Sequence, residues 1–186
     1  MRKVQRSEIQ DYQTYNDRRD ATRSAVLEIK KPRRIHLGAC LTFLFENTET
    51  IRYQIQEMMR AERIVREADI RHELETYNEL LGAPGELGCT LLIEIEDAEE
   101  RKRRLEQWTL LPAALYARLP KGELVRALVD PRQVGEARLS SVHYLKFPVR
   151  GQVPWAMGCD LPELTVEAEL SSATRAALAE DLASDL

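Results

Sequence analysis

From Arg34 onward, apolar and polar residues alternate. Ile35, Leu37, Ala39, Leu41, Phe43 and Phe45 share one parity, while Arg34, His36, Cys40, Thr42 and Glu46 lie on the other. A period of two places successive side chains on opposite faces of a strand. One long strand over 34–46 satisfies the pattern, and so does a hairpin with Gly38, Ala39 and Cys40 as its loop. The hairpin pairs Leu37 with Leu41 and Ile35 with Phe43, and it is preferred because glycine at position 38 accepts the backbone of a tight loop. The alternation returns over residues 86–96, where Leu87, Cys89, Leu91, Ile93 and Ile95 face one way. It returns again over 164–170 with Leu164, Val166, Ala168 and Leu170. A hairpin around Pro120, Lys121 and Gly122 and a strand near 141–149 complete the predicted strands.

Helical spacing fills the intervals. Ser7 with Gln10 reads as a capping box that opens a first helix through Ile9, Tyr12, Tyr15, Thr22, Val26 and Ile29, ended by Pro32. Asn47 or Thr48 caps a second, whose stripe is Ile51, Ile55, Met58 and Val65, with Glu62 at a position that should be apolar. Ile70, Leu74, Tyr77 and Leu81 mark a third, stopped by Gly82 and Pro84. Asp97 with Glu100 opens a fourth that reaches Trp108 to Leu110, and Ser171 or Ser172 caps the last. Residues 150–163, with Gly151, Pro154, Gly158 and Pro162, read as a long loop within the domain. The pattern predicts a single compact α+β domain over residues 1–186, a mostly antiparallel sheet with about four to five helices packed against it.

Composition narrows the class. A chain of 186 residues, 44% hydrophobic and 31% charged, can bury a core without disulfides or metals. A net charge of −4 gives no general attraction to nucleic acid or anionic lipid. The start, MRKVQRSEIQDYQ, lacks the apolar run of a secretory signal, and no apolar run approaches the roughly 20 residues of a membrane span. A cytoplasmic protein is expected. Cys40, Cys89 and Cys159 are scattered and odd in number, which argues against a disulfide framework.

The chain carries no chemical signature. Zinc sites draw paired ligands from one local element, whereas His36, His72 and His143 fall in different elements and no two cysteines are close. No metal and no cofactor is expected. There is no GxSxG turn and no glycine-rich phosphate loop. Of the cysteines, Cys40 alone has a basic neighbourhood (Arg33, Arg34, His36) that would favour a thiolate. The basic run Lys30-Lys31-Pro32-Arg33-Arg34 is read as cations suited to a helix C-terminus. Arg101 to Arg104 is read as helical ion pairing with Glu99 and Glu100.

The segment from Glu46 to Asn78 is the most unusual, with Glu, Arg, Gln and Asn crowded beside an apolar stripe. It has two readings. One is a polar network that fixes how two helices dock. The other is a polar pocket or interface formed by Glu46, Arg52, Gln56, Glu57, Arg60, Glu62, Arg63, Glu73, Tyr77 and Asn78, with an arginine holding an anion and Glu62 as acid or base.

The runs LTFLFENTETIRYQIQEMMRAERI, ELETYNELLG and ELGCTLLIEIE, and more weakly SVHYLKFPV and LSSATRAALAEDL, resemble a bacterial family catalogued only as a domain of unknown function. The resemblance spans most of the chain and is densest over residues 33–96. It implies a redox or oxidative-stress setting, because members are encoded near rubrerythrin-like and iron–sulfur oxidoreductase proteins. It brings no catalytic residues. The expected function is therefore a non-catalytic accessory or regulatory protein for such a redox partner, and a homodimer is compatible with it. The alternative is a small anionic-ligand-binding protein or enzyme that uses the Glu/Arg/Gln-rich segment.

Overall fold

The computed structural model describes residues 1–130 and 138–184. Among them are nine strands in two antiparallel sheets. The first sheet has the order β1-β2-β3-β7-β6, formed by β1 (Arg34–Leu37), β2 (Leu41–Phe45), β3 (Leu87–Ile93), β6 (Leu128–Val129) and β7 (Val142–Phe147). The second has the order β5-β4-β8-β9, from β4 (Leu115–Arg118), β5 (Leu124–Arg126), β8 (Ala156–Cys159) and β9 (Val166–Glu169). The helices are α1 (Tyr12–Lys30), α2 (Thr48–Glu62), α3 (Glu67–Asn78), α4 (Ala98–Gln107), α5 (Leu111–Ala114) and α6 (Ser172–Ala183). The α+β class holds.

The β1–β2 hairpin has the register that the alternation requires, with Ile35 opposite Phe43 and Leu37 opposite Leu41. The loop glycine, Gly38, sits at φ +62°, a conformation that residues with a Cβ rarely adopt. Continuing across the sheet, Phe43 faces Leu91 and Leu91 faces His143. This face is the core side, where Phe147 packs against Phe43 and Phe45 with ring centroids 6.3 and 6.2 Å apart. It shares one hydrophobic core with Leu111, Leu115, Ala117 and Met157 of the second layer. The opposite face carries two cross-strand rows, Arg34–Leu44–Thr90–Tyr144 and His36–Thr42–Leu92–Val142. Here exposure rises, to 39% at Val142.

Several boundaries differ from the sequence expectation, each for a tertiary reason. Residues Arg6–Glu8 form a separate 3-10 turn, and α1 is opened by Asp11, whose carboxylate accepts from the amides of Gln13 and Thr14. A helix cannot run through residue 10, because the Gln56 side chain takes both backbone groups of Gln10, at 2.7 and 3.2 Å. Helix α2 stops at Glu62, since Arg63 turns into the left-handed region at φ 54°. Glu62 is therefore exposed at a helix end and is not a buried acid, and Val65 lies beyond the helix at 73% exposure. The stretch 150–163 is not all loop. Residues 156–159 are β8, which pairs on both sides and is fully buried.

Two further features fix the packing. Arg33, at the end of the turn after α1, makes a bidentate pair with Asp181 of α6 at 2.7 and 2.9 Å, and both side chains are buried. Arg33 also donates to the carbonyl of Ile29, and Asn47, the cap of α2, donates to Asp181. Gly88 of β3 lies so close to residues 80–82 that a Cβ would fall 2.0 Å from the Leu80 carbonyl oxygen.

Candidate functional site

The partly exposed face of the first sheet is where a site can form. Helix α1 ends at its edge, α2 and α3 border it, and between them lies a cleft of about 360 Å³ lined by Lys30, Arg34, Leu44, Glu46, Ile51, Gln54, Tyr77, Leu80, Thr90, Leu92, Val142 and Tyr144. That volume is in the range of small-molecule sites.

Its polar centre is Glu46, at the end of β2 and 7% exposed. The Thr50 hydroxyl donates to one carboxylate oxygen at 2.5 Å, and the Thr90 hydroxyl donates to the other at 2.6 Å. The backbone amide of Glu46 donates to the Gly88 carbonyl at 2.9 Å. Two threonines and a strand thus hold the carboxyl group in place, and a carboxylate retains acceptor sites for a ligand. At the rim, the Lys30 ammonium stands over the Tyr53 ring, 5.2 Å from its centroid. Neither Lys30 nor Arg34 has an ion-pair partner among the described residues. Burial pushes the Lys30 amine below the ordinary lysine value, an effect opposed by the charge of Glu46 and reinforced by Arg34. The Tyr77 and Tyr144 phenols are pushed up, in both cases mainly by burial.

The ten residues predicted from the sequence do not form one site. Glu46 and Tyr77 line the cleft. Arg52 and Gln56 line a different recess, between α1 and α2, where Arg52 pairs with Glu49 and Gln56 holds the backbone of Gln10. Glu57 is bound by Arg19, by the Tyr15 hydroxyl at 2.7 Å and by Arg60. Asn78 is buried and grips both backbone groups of Val4, at 2.8 and 3.0 Å. Glu73 is half-buried, and Glu62 and Arg63 are exposed. Gln56, Glu57 and Asn78 thus join helices or pin the N-terminal segment, and Arg52 and Arg60 pair with carboxylates of α2 itself, so none of the five holds an open anion site.

Lys30, Arg34, Thr90 and Tyr144 were not indicated by the sequence. The basic run gave a signal for the first two, but a helix end explained it equally well. The structure divides that run. Lys31 pairs with Glu28, Arg33 with Asp181, and Lys30 and Arg34 are left at the cleft. Cys40 is not activated, because burial pushes its thiol up. The histidines stay apart: His36 bonds Thr42 at 2.9 Å, His72 is exposed and His143 is buried. Among the described residues, no group of three or more His, Cys, Asp or Glu could hold a metal ion. No helix among them is long and apolar enough to cross a membrane.

The Glu57 network makes a pH prediction. Its partners, Arg19 first, hold the Glu57 carboxyl at about 2, against 4.5 ordinarily. A depressed carboxyl stabilises the fold above the unfolded value, and that stability is lost as pH falls through the folded one. Between about pH 4.5 and 2, the wild type should lose on the order of 1–2 kcal/mol that a Glu57→Gln variant does not lose. Acid titration of urea midpoints checks this, and identical acid sensitivity in both proteins would remove Glu57 as the cause.

Comparison with known proteins fits this geometry to a family. The family of proteins of unknown function DUF3501 matches residues 3–182. The chain belongs to that family. A solved structure of a novel protein of unknown function from Burkholderia pseudomallei is similar to this DUF3501 chain, with TM-score 0.89 and 29% identity. The match covers 97% of this chain and 100% of that one. No curated protein matches. Membership therefore accounts for the fold over nearly its full length and brings no activity with it.

Proposed function

We propose that this DUF3501 protein binds a small organic anion in the Glu46 cleft. The observation that carries the reading is the pair of cations with no direct ion-pair partner among the described residues, Lys30 and Arg34, at a recess that also presents apolar side chains (Leu44, Leu92, Val142) and whose buried acid, Glu46, is already held by two threonines. A carboxylate would sit between the two cations, an apolar body would cover those side chains, and a donor on the ligand would reach Glu46. Charge-assisted hydrogen bonds are worth about 1.5–3 kcal/mol each, so losing one cation should weaken binding roughly ten- to hundredfold.

The test is calorimetric titration with a panel of alkyl and aryl carboxylates. Lys30→Gln and Arg34→Gln should each lose at least about tenfold in affinity while melting near the wild-type temperature. If no carboxylate binds the wild type, or if both variants bind as well as it does, the reading fails. The accessory reading makes a different prediction, namely stable co-purification with a rubrerythrin-like or iron–sulfur oxidoreductase under oxygen-free conditions.

A further inference from the structure

Groups of three kinds reach the Glu46 cleft from three directions. The row Arg34–Leu44–Thr90–Tyr144 puts Arg34 at the β1 edge of the sheet, where Lys30 also lines the cleft. Glu46 follows Leu44 by two residues on the same strand face, and its carboxylate leans back to this row, where Thr90 donates to it at 2.6 Å. In the opposite direction along the strands, Leu92 and Val142 stand two residues from Thr90 and Tyr144. A position above Leu44 and Thr90 is therefore flanked by cations, by an acid and by apolar side chains on separate sides. Each group is one strand spacing or one two-residue step away, roughly 5–7 Å.

The acid and the cations do not neutralise one another by contact. The charge of Glu46 acts on Lys30, yet among the described residues no ion pair joins it to Lys30 or Arg34. Each Glu46 oxygen accepts from one threonine, which leaves about half of the carboxylate's four acceptor sites unused. A ligand bearing only a carboxylate would satisfy the cations and bring a like charge up to Glu46, a juxtaposition that weakens binding. An ammonium group next to the ligand's carboxylate removes that repulsion and fills the unused acceptor sites. From this arrangement we infer that the ligand is a zwitterionic α-amino acid with an apolar side chain. Its carboxylate lies between Lys30 and Arg34, its ammonium donates to Glu46, and its side chain runs over Leu92 toward Val142. The inference rests on the anion-binding reading above and names the ligand class for that same site.

A matched set of ligands separates the two claims. L-phenylalanine, 3-phenylpropanoate, which lacks the ammonium, and 2-phenylethylamine, which lacks the carboxylate, are titrated calorimetrically into the full-length protein at neutral pH. Phenylalanine should bind at least about tenfold more tightly than either analogue, the loss expected for one charge-assisted hydrogen bond. Glu46→Gln should lower the affinity for phenylalanine roughly tenfold or more and leave 3-phenylpropanoate bound no more weakly than before. Comparing the two ligands within one variant cancels any general loss of folded protein. Should Glu46→Gln fail to fold, the ratio of the three ligands on the wild type decides alone. If 3-phenylpropanoate binds the wild type as tightly as phenylalanine, the amino-acid inference is overturned and the anion site stands. If phenylalanine is preferred but Glu46→Gln keeps the preference, the ammonium is held elsewhere and the inference is equally overturned. If neither carboxylate binds, both claims fall.

Discussion

Replacing Asp181 with alanine should cost about 3–5 kcal/mol of folding stability, because it strands a buried guanidinium. Arg33 would keep its bond to the Ile29 carbonyl but lose both carboxylate oxygens, and Asn47 would lose its acceptor on α6. For a chain of this size the loss corresponds to a fall in melting temperature of about 10 °C or more. The pair need not be a net source of stability. Taking two charges out of water is expensive, and a double variant, Arg33→Met with Asp181→Leu, should recover much of what the single one loses. Urea denaturation of the wild type, both single variants and the double one gives the coupling directly. A cost below about 1 kcal/mol for Asp181→Ala would mean that the pair is solvated, as ordinary surface pairs are.

The second large effect is expected at Gly88. An alanine there would place its Cβ 2.0 Å from the Leu80 carbonyl oxygen and 3.0 Å from the Gly82 amide nitrogen. Both obstacles are backbone, so no rotamer change relieves them, and overpacking at a rigid site sits at or above the top of its usual range of about 1–3 kcal/mol. The substitution should also reach the cleft. The Gly88 carbonyl holds the Glu46 amide, and Leu80 is one of the cleft walls. Gly88→Ala should thus lower the urea midpoint and weaken carboxylate binding together. Unchanged stability would show that the 80–88 segment yields more readily than its packing suggests.

The strands were readable in the sequence where apolar and polar residue types alternate, even where, as in β2, both faces are covered. Residues 34–45 alternate because one parity, Ile35, Leu37, Leu41, Phe43 and Phe45, enters the hydrophobic core, and even the loop residues of the hairpin followed from that. Strand β8 escaped because its four residues, AMGC, include no polar side chain to mark a period and contain a glycine. Its Gly158 looked like a loop residue, yet the Tyr116 ring fills the space a Cβ would need, with a ring carbon 2.2 Å away. The start of α1 was misplaced because a glutamine 46 residues away takes the backbone of Gln10, which no local signal records. Extending the α2 stripe past Arg63 turned an exposed helix-end glutamate into an apparent buried acid.

The site was legible only in part, for the same reason. Glu46 and Tyr77 lay in the segment singled out for its polarity. Their companions Lys30, Arg34, Thr90 and Tyr144 come from four other elements, brought alongside by the strand order and not by proximity in sequence. Conversely, Gln56 and Asn78 looked like pocket residues, and each instead acts as a substitute peptide unit for the N-terminal segment.

The two sheets take their strands by turns. The chain lays down three strands of the first sheet, then two of the second, then two more of the first, then the last two of the second. During synthesis, neither sheet is complete until β7 and β9 respectively have emerged, so the apolar residues of β4 wait for β8 to be made. Nascent chains of intermediate length therefore expose Leu115 and Ala117, the kind of surface that attracts chaperones or self-association. Pairings between strands so far apart along the chain also slow folding. The protein should consequently assemble late and in one cooperative step, and a chain cut between β7 and β8 should yield two insoluble pieces instead of two small domains.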